Sequence, residues 1–476
     1  MKKLIPQSLK NIYHLIQAVL ANFWYGFPSK KLKVIGVTGT NGKTTTVQMI
    51  AKILEEAGHK IAVASTINFK LGKKEWVNKS KFTTLSSWAL QKFLKQAVAA
   101  GCEYAVLEIS SHALDQNRAW GVDFQVAVLT NVSREHLDYH KTIEEYARAK
   151  EKLFAMSSKN PDGVSVVNLN SEFADEFLKY PAGKKYGYFL ENQKSTLPTG
   201  RQEIKSQNHN SNLKTIIAEN IQSEIQNTKY KIRNTKYELN LPGEFNVENS
   251  LAATCVGLSQ GISLEKIAEA LGKIKGVPGR MERIENDRGI EIIVDYAVTP
   301  DSLEKLYELV GDIRGKREIG GGRIIAVFGS CGERDRGKRP IMGEIVAKAA
   351  DYAIVTNEDP YGEDPAQIIN EVFSGVVGGD FPKARLFPDG SSAPVIPQSQ
   401  ALENNLPKKE GMNAFRILDR REAIKKALQI AKPGDIVVVT GKGAEETMAV
   451  GGKMIPWNDP RVIRELLSKP AKEKSR

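Results

Sequence analysis

The segment KVIGVTGTNGKTTT, residues 33–46, constrains the fold more than any other part of the chain. Residues 33–38 are a short β-branched run; a glycine-bearing turn follows, and then a helical stretch over 44–57. A strand that feeds a helix through such a turn belongs to an α/β layer with a parallel sheet. The turn also has a chemistry. Gly39 and Gly42 let backbone N–H groups approach a phosphate chain, Lys43 reaches terminal phosphates, and Thr44 offers a hydroxyl to Mg²⁺. The helix N-terminus adds a positive dipole end. Thr40, Asn41 and Thr45 complete the loop. The strict phosphate-loop pattern wants glycine at position 37, where this chain has Val37. The loop alone therefore leaves two readings open, nucleotide binding and an incidental glycine-rich turn.

The alternation continues. Strand-like runs at 104–109 (YAVLEI), 125–130 (QVAVLT) and 163–168 (GVSVVN) are separated by helical stretches such as 86–100 and 142–155. A second series of strands falls near 291–295, 323–329, 352–356 and 435–440. The expected plan is a short helical segment over 1–32, an α/β domain over 33–280 and a second α/β domain over 281–476. Residues 190–240 are rich in Asn, Gln, Lys, Ser and Thr, and read as a polar surface excursion followed by a β-hairpin on the imperfect repeat NTKYKIR/NTKYELN. Residues 375–411 read as a long surface loop.

With 41% hydrophobic and 26% charged residues, the chain is neither mostly disordered nor a multi-span membrane protein. The net charge of +12 allows nucleic acid, a membrane surface or anionic small molecules as partners. Lys and Arg are interspersed with Glu and Asp, and no aromatic–basic platform supports nucleic-acid binding. Cys102, Cys255 and Cys331 lie far apart and form no CxxC, which excludes a disulfide framework and a cysteine-rich zinc site and fits a reducing cytoplasm. Residues 4–25 read as an amphipathic helix ending in Phe23-Trp24-Tyr25, because Gln7, Lys10, Asn11, His14 and Gln17 interrupt the apolar run of a signal peptide. That helix either packs on the next domain or lies on a membrane surface.

Beyond TGTNGKTT, the chain carries LEISSHALDQNR (107–118), TNVSREHLDYH (130–140), YARAKEKLF (146–154), LPGEFNVENSLAA (241–253), VPGRMERI (277–284), DYAVTPDSLE (295–304), CGERDRGKRPIMGEI (331–345) and LDRREAI (418–424). In this order the motifs resemble the Mur ligases, ATP-dependent amide-bond-forming enzymes of peptidoglycan synthesis, over residues 33–460. The likeness is greatest to members that add the third amino acid to UDP-MurNAc-L-Ala-D-Glu. It implies a central P-loop ATPase domain with a mostly parallel sheet, a C-terminal Rossmann-like α/β domain, ATP and Mg²⁺, an acyl-phosphate intermediate, and a cytoplasmic site of action. The implied partners are the UDP-MurNAc-dipeptide and a free diamino acid, with no transmembrane segment.

The resemblance assigns roles residue by residue. Glu108 closes a buried strand and becomes a Mg²⁺ ligand with Thr44; on its own it reads equally as a cap of the following turn. His136 matches a second ligand, and His140 has a weaker claim. Lys150, fourteen residues after His136, matches a lysine carbamylated to N6-carboxylysine; in EEYARAKEK it otherwise reads as a solvated lysine. Asn246 and Asn249 match adenine-side positions, with helix capping as the alternative. Arg280 matches an arginine at the hinge between domains. Thr83, Thr84, Ser110, Gln116 and Arg118 match residues that hold the UDP-MurNAc-peptide. Arg334, Glu358, Asp359, Pro360, Tyr361, Gly441 and Glu445 match the amino-acid pocket.

There are departures from the family pattern. The uridine-binding segment that precedes the loop in the family is largely missing, so the resemblance leaves room for a partner in its place. Val298 and Ala444 stand where the family has histidines. Tyr361 replaces the arginine of the diaminopimelate selector, leaving one neutral hydrogen bond for a bidentate clamp; meso-diaminopimelate is preferred narrowly to L-lysine. The alternatives are a related ligase on another carrier, lipid-linked muramyl peptide or folylpolyglutamate-like, and a non-catalytic nucleotide-binding protein.

Overall fold

The computed structural model describes residues 6–80, 82–196, 213–224, 226–316, 322–378 and 407–468. It divides into two compact units: Met1–Arg134 with Thr142–Lys275, and Glu135–Lys141 with Gly276–Arg476.

In the first unit the strands are β1 (Lys33–Thr38), β2 (Ile61–Ala64), β3 (Asn68–Leu71), β4 (Lys74–Val77), β5 (Tyr104–Glu108), β6 (Phe124–Leu129), β7 (Val164–Asn168), β8 (Lys184–Leu190), β9 (Leu213–Ser223), β10 (Thr228–Ile232) and β11 (Thr235–Leu239). They form one sheet in the order β11-β10-β9-β8-β7-β6-β1-β5-β2-β3-β4. From β2 to β9 across its centre every neighbouring pair is parallel, and both margins are antiparallel hairpins. Five central strands, β1, β2, β5, β6 and β7, are almost wholly buried, as parallel strands covered by helices on both faces must be. The helices that matter for the site are α1 (Gln7–Tyr25), α2 (Lys43–Glu56), α3 (Ser87–Ala99), α4 (Ile143–Ser157) and α5 (Glu244–Ser259). Gly42, at φ +82°, makes the turn that starts α2.

The hairpin expected on the NTKYKIR/NTKYELN repeat is β10–β11, with Tyr230 opposite Tyr237 and their rings stacked at 5.0 Å. The reading of 190–240 as a surface excursion needs correction: Leu213–Ser223 is an eleven-residue strand that extends the main sheet parallel to β8. Its polar composition concealed a strand that buries Ile216 and Ala218 on one face. Residues 197–212 of that stretch, 379–406 of the expected 375–411 loop, and the basic end from 469 lie outside the described residues.

The second unit has a sheet of β12 (Glu282–Arg283), β13 (Glu291–Asp295), β14 (Ile324–Phe328), β15 (Tyr352–Thr356), β16 (Ala414–Ile417) and β17 (Ile436–Thr440), ordered β12-β13-β17-β14-β15-β16. Only the β12–β13 pair is antiparallel. Ile292, Val294, Ile325, Val327, Ile354, Val437 and Val439 form its core with Ile424 and Leu428 of the helix Arg420–Ile430. A separate hairpin joins β18 (Thr447–Val450) and β19 (Lys453–Pro456). Among the described residues no helix is long and apolar enough to cross a membrane.

Candidate active site

In the first unit the strand order places β5, β1 and β6 side by side and parallel, so their carboxyl ends open onto one edge. Ligand groups in open α/β sheets collect at such an edge. Here it carries Glu108 from β5, the loop 39–42 from β1, and Thr130-Asn131 from the end of β6.

The loop is held in a narrow space. The Thr40 amide donates to the Asn131 carbonyl at 2.9 Å, the Asn41 amide to Asn131 Oδ1 at 2.9 Å, and Thr130 Oγ1 to the Asn41 carbonyl at 2.6 Å. Gly39 has φ +149°, and a Cβ there would fall 1.9 Å from Thr130 Oγ1; at Gly42 a Cβ would fall 2.1 Å from Asn249 Oδ1. A side chain at either position would force Thr130 or Asn249 to move, and both glycines hold a positive φ. Lys43 curls over the loop, its Nζ 2.6 Å from the Thr40 carbonyl and 3.1 Å from that of Gly39. Thr45 is buried in the first turn of α2.

Glu108 is 3% exposed and does not cap the following turn. Its carboxylate accepts from Thr44 Oγ1 at 3.0 Å, from the Thr66 amide at 2.8 Å and from Thr66 Oγ1 at 2.9 Å. Two buried oxygen groups, from Thr44 and Glu108, thus meet at the loop, a donor set of the kind Mg²⁺ prefers. Among the described residues no group of three or more His, Cys, Asp and Glu side chains is placed to hold a metal ion.

Lys150 is not a solvated lysine. It is 1% exposed, its Nζ donates to the Gly39 carbonyl at 2.8 Å, and it lies 3.9 Å from the ring centroid of Tyr146. The Tyr146 hydroxyl is in turn 3.3 Å from Thr40 Oγ1. Asn246 and Asn249 lie in the first turns of α5, where Gly243 is the N-cap, so neither is the cap. Asn246 Nδ2 donates to the Pro242 carbonyl at 2.8 Å, and Thr46 Oγ1 donates to Asn249 Oδ1 at 3.3 Å.

Three of the expected substrate residues cluster beside Glu108. Thr84 Oγ1 donates to the Glu108 carbonyl at 3.0 Å and accepts from the Ser110 amide at 2.9 Å, and Arg118 Nη1 donates to the Thr84 carbonyl at 3.0 Å. Ser110 Oγ also caps the short helix Ser111–Asp115, after which Gln116 follows. Thr83 and Gln116 are half-buried.

His136 groups with the second unit on the segment Glu135–Lys141, at φ +58°, with its Nε2 3.8 Å from the Glu135 carboxylate. His140 on the same segment is buried. Arg280 also belongs to this unit. Its guanidinium lies 4.4 Å from the ring centroid of Tyr296, and Asp295 fixes the adjoining backbone by accepting from the Met281 amide at 2.8 Å.

The segments after β14, β15 and β17 carry the expected amino-acid residues. Arg334 is exposed on the segment after β14. Glu358, Asp359 and Pro360 follow β15 and are buried, while Tyr361 is half-buried. Asp359 and Tyr361 have φ of +42° and +50°, a strained backbone for residues other than glycine. Gly441 is required here, since a Cβ would fall 2.1 Å from Glu358 Oε2. Burial pushes the Glu358 carboxyl up to about 7, with Arg420 opposing and Asp359 adding to the shift.

The sequence reading missed Lys442. It is wholly buried, donates to Asp359 Oδ2 at 2.7 Å, and makes a second, very close hydrogen bond to Glu445. Burial works to lower its pKa, yet the Glu445 and Asp359 carboxylates hold the ammonium above its ordinary range. Tyr296 donates to Glu445 Oε1 at 3.2 Å, and Glu445 and burial together raise the phenol well above its usual value. A glycine-flanked lysine directly after a buried strand was the available signal for Lys442; nothing in the sequence pointed to Thr66.

Comparison with known proteins covers both units. The model for the Mur ligase middle domain matches residues 37–257, and that for the Mur ligase glutamate ligase domain matches residues 279–443. The UDP-N-acetylmuramoyl-L-alanyl-D-glutamate--2,6-diaminopimelate ligase of Clostridium botulinum is 36% identical over 94% of this chain and 81% of its own length. The UDP-N-acetylmuramyl-tripeptide synthetase of a Roseiflexus species is 35% identical over 95% of this chain and 81% of its own. A solved UDP-N-acetylmuramoyl-L-alanyl-D-glutamate--2,6-diaminopimelate ligase aligns with a TM-score of 0.53 at 31% identity, covering 92% of this chain and 78% of that one. The folylpolyglutamate synthase of Mycobacterium tuberculosis, at 15% identity and a TM-score of 0.64 over 96% of both chains, shares the fold alone. With relatives above 30% identity along nearly its whole length and both domain models matched in order, this chain belongs to the Mur ligase family.

Proposed function

We propose that the protein is an ATP-dependent ligase that joins a diamino acid to UDP-MurNAc-L-Ala-D-Glu, with meso-diaminopimelate preferred to L-lysine, in the cytoplasm where peptidoglycan precursors are assembled. The observation that carries this reading is the phosphate loop, closed on Thr44–Glu108 and on Lys150, in a chain whose relatives bear the names of such ligases.

ATP supplies a phosphoryl group that activates the acceptor carboxylate as an acyl phosphate, and the amine then displaces phosphate. Lys43 and the amides at the start of α2 offset the charge of the phosphates, and the fixed loop lowers the reorganisation needed when that charge moves. A Cβ at Gly42 would meet Asn249 Oδ1, so the turn keeps the backbone bare where the nucleotide is proposed to bind. Thr44 and Glu108 fit Mg²⁺ as oxygen donors, and the ion would add positive charge at the phosphates. Lys150 is proposed to act as a carbamate, formed when the neutral amine takes up CO₂ and releases a proton; this converts a buried donor into an anionic oxygen group. Thr84, Ser110 and Arg118 offer hydroxyls and a cation to the acidic muramyl peptide. On the second unit Arg334 and Tyr361 face the choice of diamino acid. The relatives' names favour diaminopimelate, whereas Tyr361 supplies no bidentate clamp.

The test is the mass of the product after incubation with ATP, Mg²⁺, UDP-MurNAc-L-Ala-D-Glu and either meso-diaminopimelate or L-lysine. A product heavier by one diaminopimelate residue, with equimolar ADP, is expected. A lysine adduct alone would reverse the assignment of the amino acid, and no adduct with either would reject the ligase reading.

A further inference from the structure

Helix α1 has two faces of different kinds. Ala18, Ala21 and Asn22 are buried, and Asn22 Nδ2 donates to the Trp120 carbonyl at 2.7 Å, so this face is docked on the first unit. The opposite face carries Leu9, Ile12, Tyr13, Ile16, Leu20, Phe23 and Trp24, all more than half exposed. At about 100° per residue these seven fall within an arc of about 120° in which the Tyr13 hydroxyl, bonded to Gln17 Nε2, is the one polar group. Trp24 is 78% exposed and Phe23 68%. Tyr25 meets Trp88 edge-on at 6.2 Å, and Trp88 and Trp120 are themselves more than a third exposed. Scattered exposed apolar residues are ordinary; a continuous stripe with an aromatic end is not.

The charge around the stripe identifies its occupant. The chain has no Asp or Glu before Glu55, while Lys10 lies within the helix and Lys2, Lys3, Lys30 and Lys31 flank it in sequence. Lys30 and Lys31 are exposed immediately beyond its aromatic end. An isologous pairing of two such faces would bring like charges together. An anionic lipid surface satisfies both features: acyl chains accept the stripe, headgroups attract the lysines, and Trp and Tyr favour the boundary between them. A helix docked by one face on the domain and too polar on that face to span would lie in the plane of the surface. We propose that α1 seats this protein on an anionic membrane surface. This inference does not depend on the ligase reading.

The experiment uses the full chain with vesicles of phosphatidylcholine alone or mixed equally with phosphatidylglycerol, in co-sedimentation and in tryptophan emission. The wild type should bind the anionic vesicles with a blue shift, and rising salt should weaken binding. Ile16→Glu/Phe23→Glu, two exposed positions, should bind at least about tenfold less tightly, and Lys30→Glu/Lys31→Glu should lose the preference for anionic vesicles. Unfolding midpoints equal to wild type would show that both variants fold. Failure of the wild type to bind, or equal binding by Ile16→Glu/Phe23→Glu, would overturn the proposal. A lipid-free dimer that this variant dissolves would assign the stripe to a second copy instead, and overturn it too.

Discussion

The two units solve the same problem, presenting ligand groups at the carboxyl edge of a parallel sheet, with different physics. At the phosphate loop the contacts are mostly neutral: backbone amides, Thr130, Asn131, Asn249 and Tyr146 fix the chain path, and glycine positions with Cβ clearances near 2 Å set the shape. At the edge of the second unit the work is done by buried charge, with Lys442 held between Asp359 and Glu445, and Glu358 raised by burial. A steric cradle tolerates loss of a hydrogen bond better than loss of space. A buried charge network tolerates the reverse, because removing one partner strands another in low dielectric.

Four substitutions test that contrast. Lys43→Ala removes the loop's cation, and kcat for ligation should fall at least about 10³-fold, roughly 4 kcal/mol; turnover within a few-fold of wild type would remove Lys43 from the chemistry. Lys442→Met leaves Asp359 and Glu445 without their cation and should destabilise the second unit by about 3 kcal/mol, read as a lower urea midpoint. A midpoint matching wild type would mean that the two carboxylates do not need it. Gly42→Ala places a methyl against Asn249 and imposes a positive φ on alanine. Its ATP Kd should rise about 30-fold, near 2 kcal/mol, with little change in the second unit's stability; unchanged affinity in calorimetry would show that Asn249 gives way.

The fourth substitution tests a pH dependence. Because the Glu358 carboxyl sits at about 7 when folded, above its ordinary 4.5, the folded state holds more protons between those values. Its contribution to stability is full below about pH 4.5 and is lost as pH rises through about 7. Glu358→Gln should flatten that part of the stability profile; a slope identical to wild type would place the titration elsewhere.

The same contrast explains what could be read in advance. Loop residues Gly39 to Thr44 could be read from the strand–turn–helix pattern as a nucleotide loop or an incidental turn, and Glu108 as the end of a buried strand; their assignment to one site came from the family resemblance. Lys150 was legible only through family resemblance, since EEYARAKEK looks solvated, and it is the fold that buries it beneath the loop. The β9 strand was lost in a polar composition, because a strand near a sheet margin needs only a few inward apolar residues. Thr66 was missed because its partner Glu108 lies 42 residues away, and Lys442 because its burial depends on Asp359, 83 residues away, as well as on nearby Glu445.

By itself the sequence determined the alternation of strands and helices, the phosphate loop and the apolar period of α1, because each depends on residues close along the chain. Tertiary structure decided which strand ends share an edge, that Thr66 and Thr44 meet on Glu108, and that one face of α1 is covered while the other is bare. These depend on strand order and on packing between distant segments, and the burial and pairing of a charge are properties of that packing rather than of the residue.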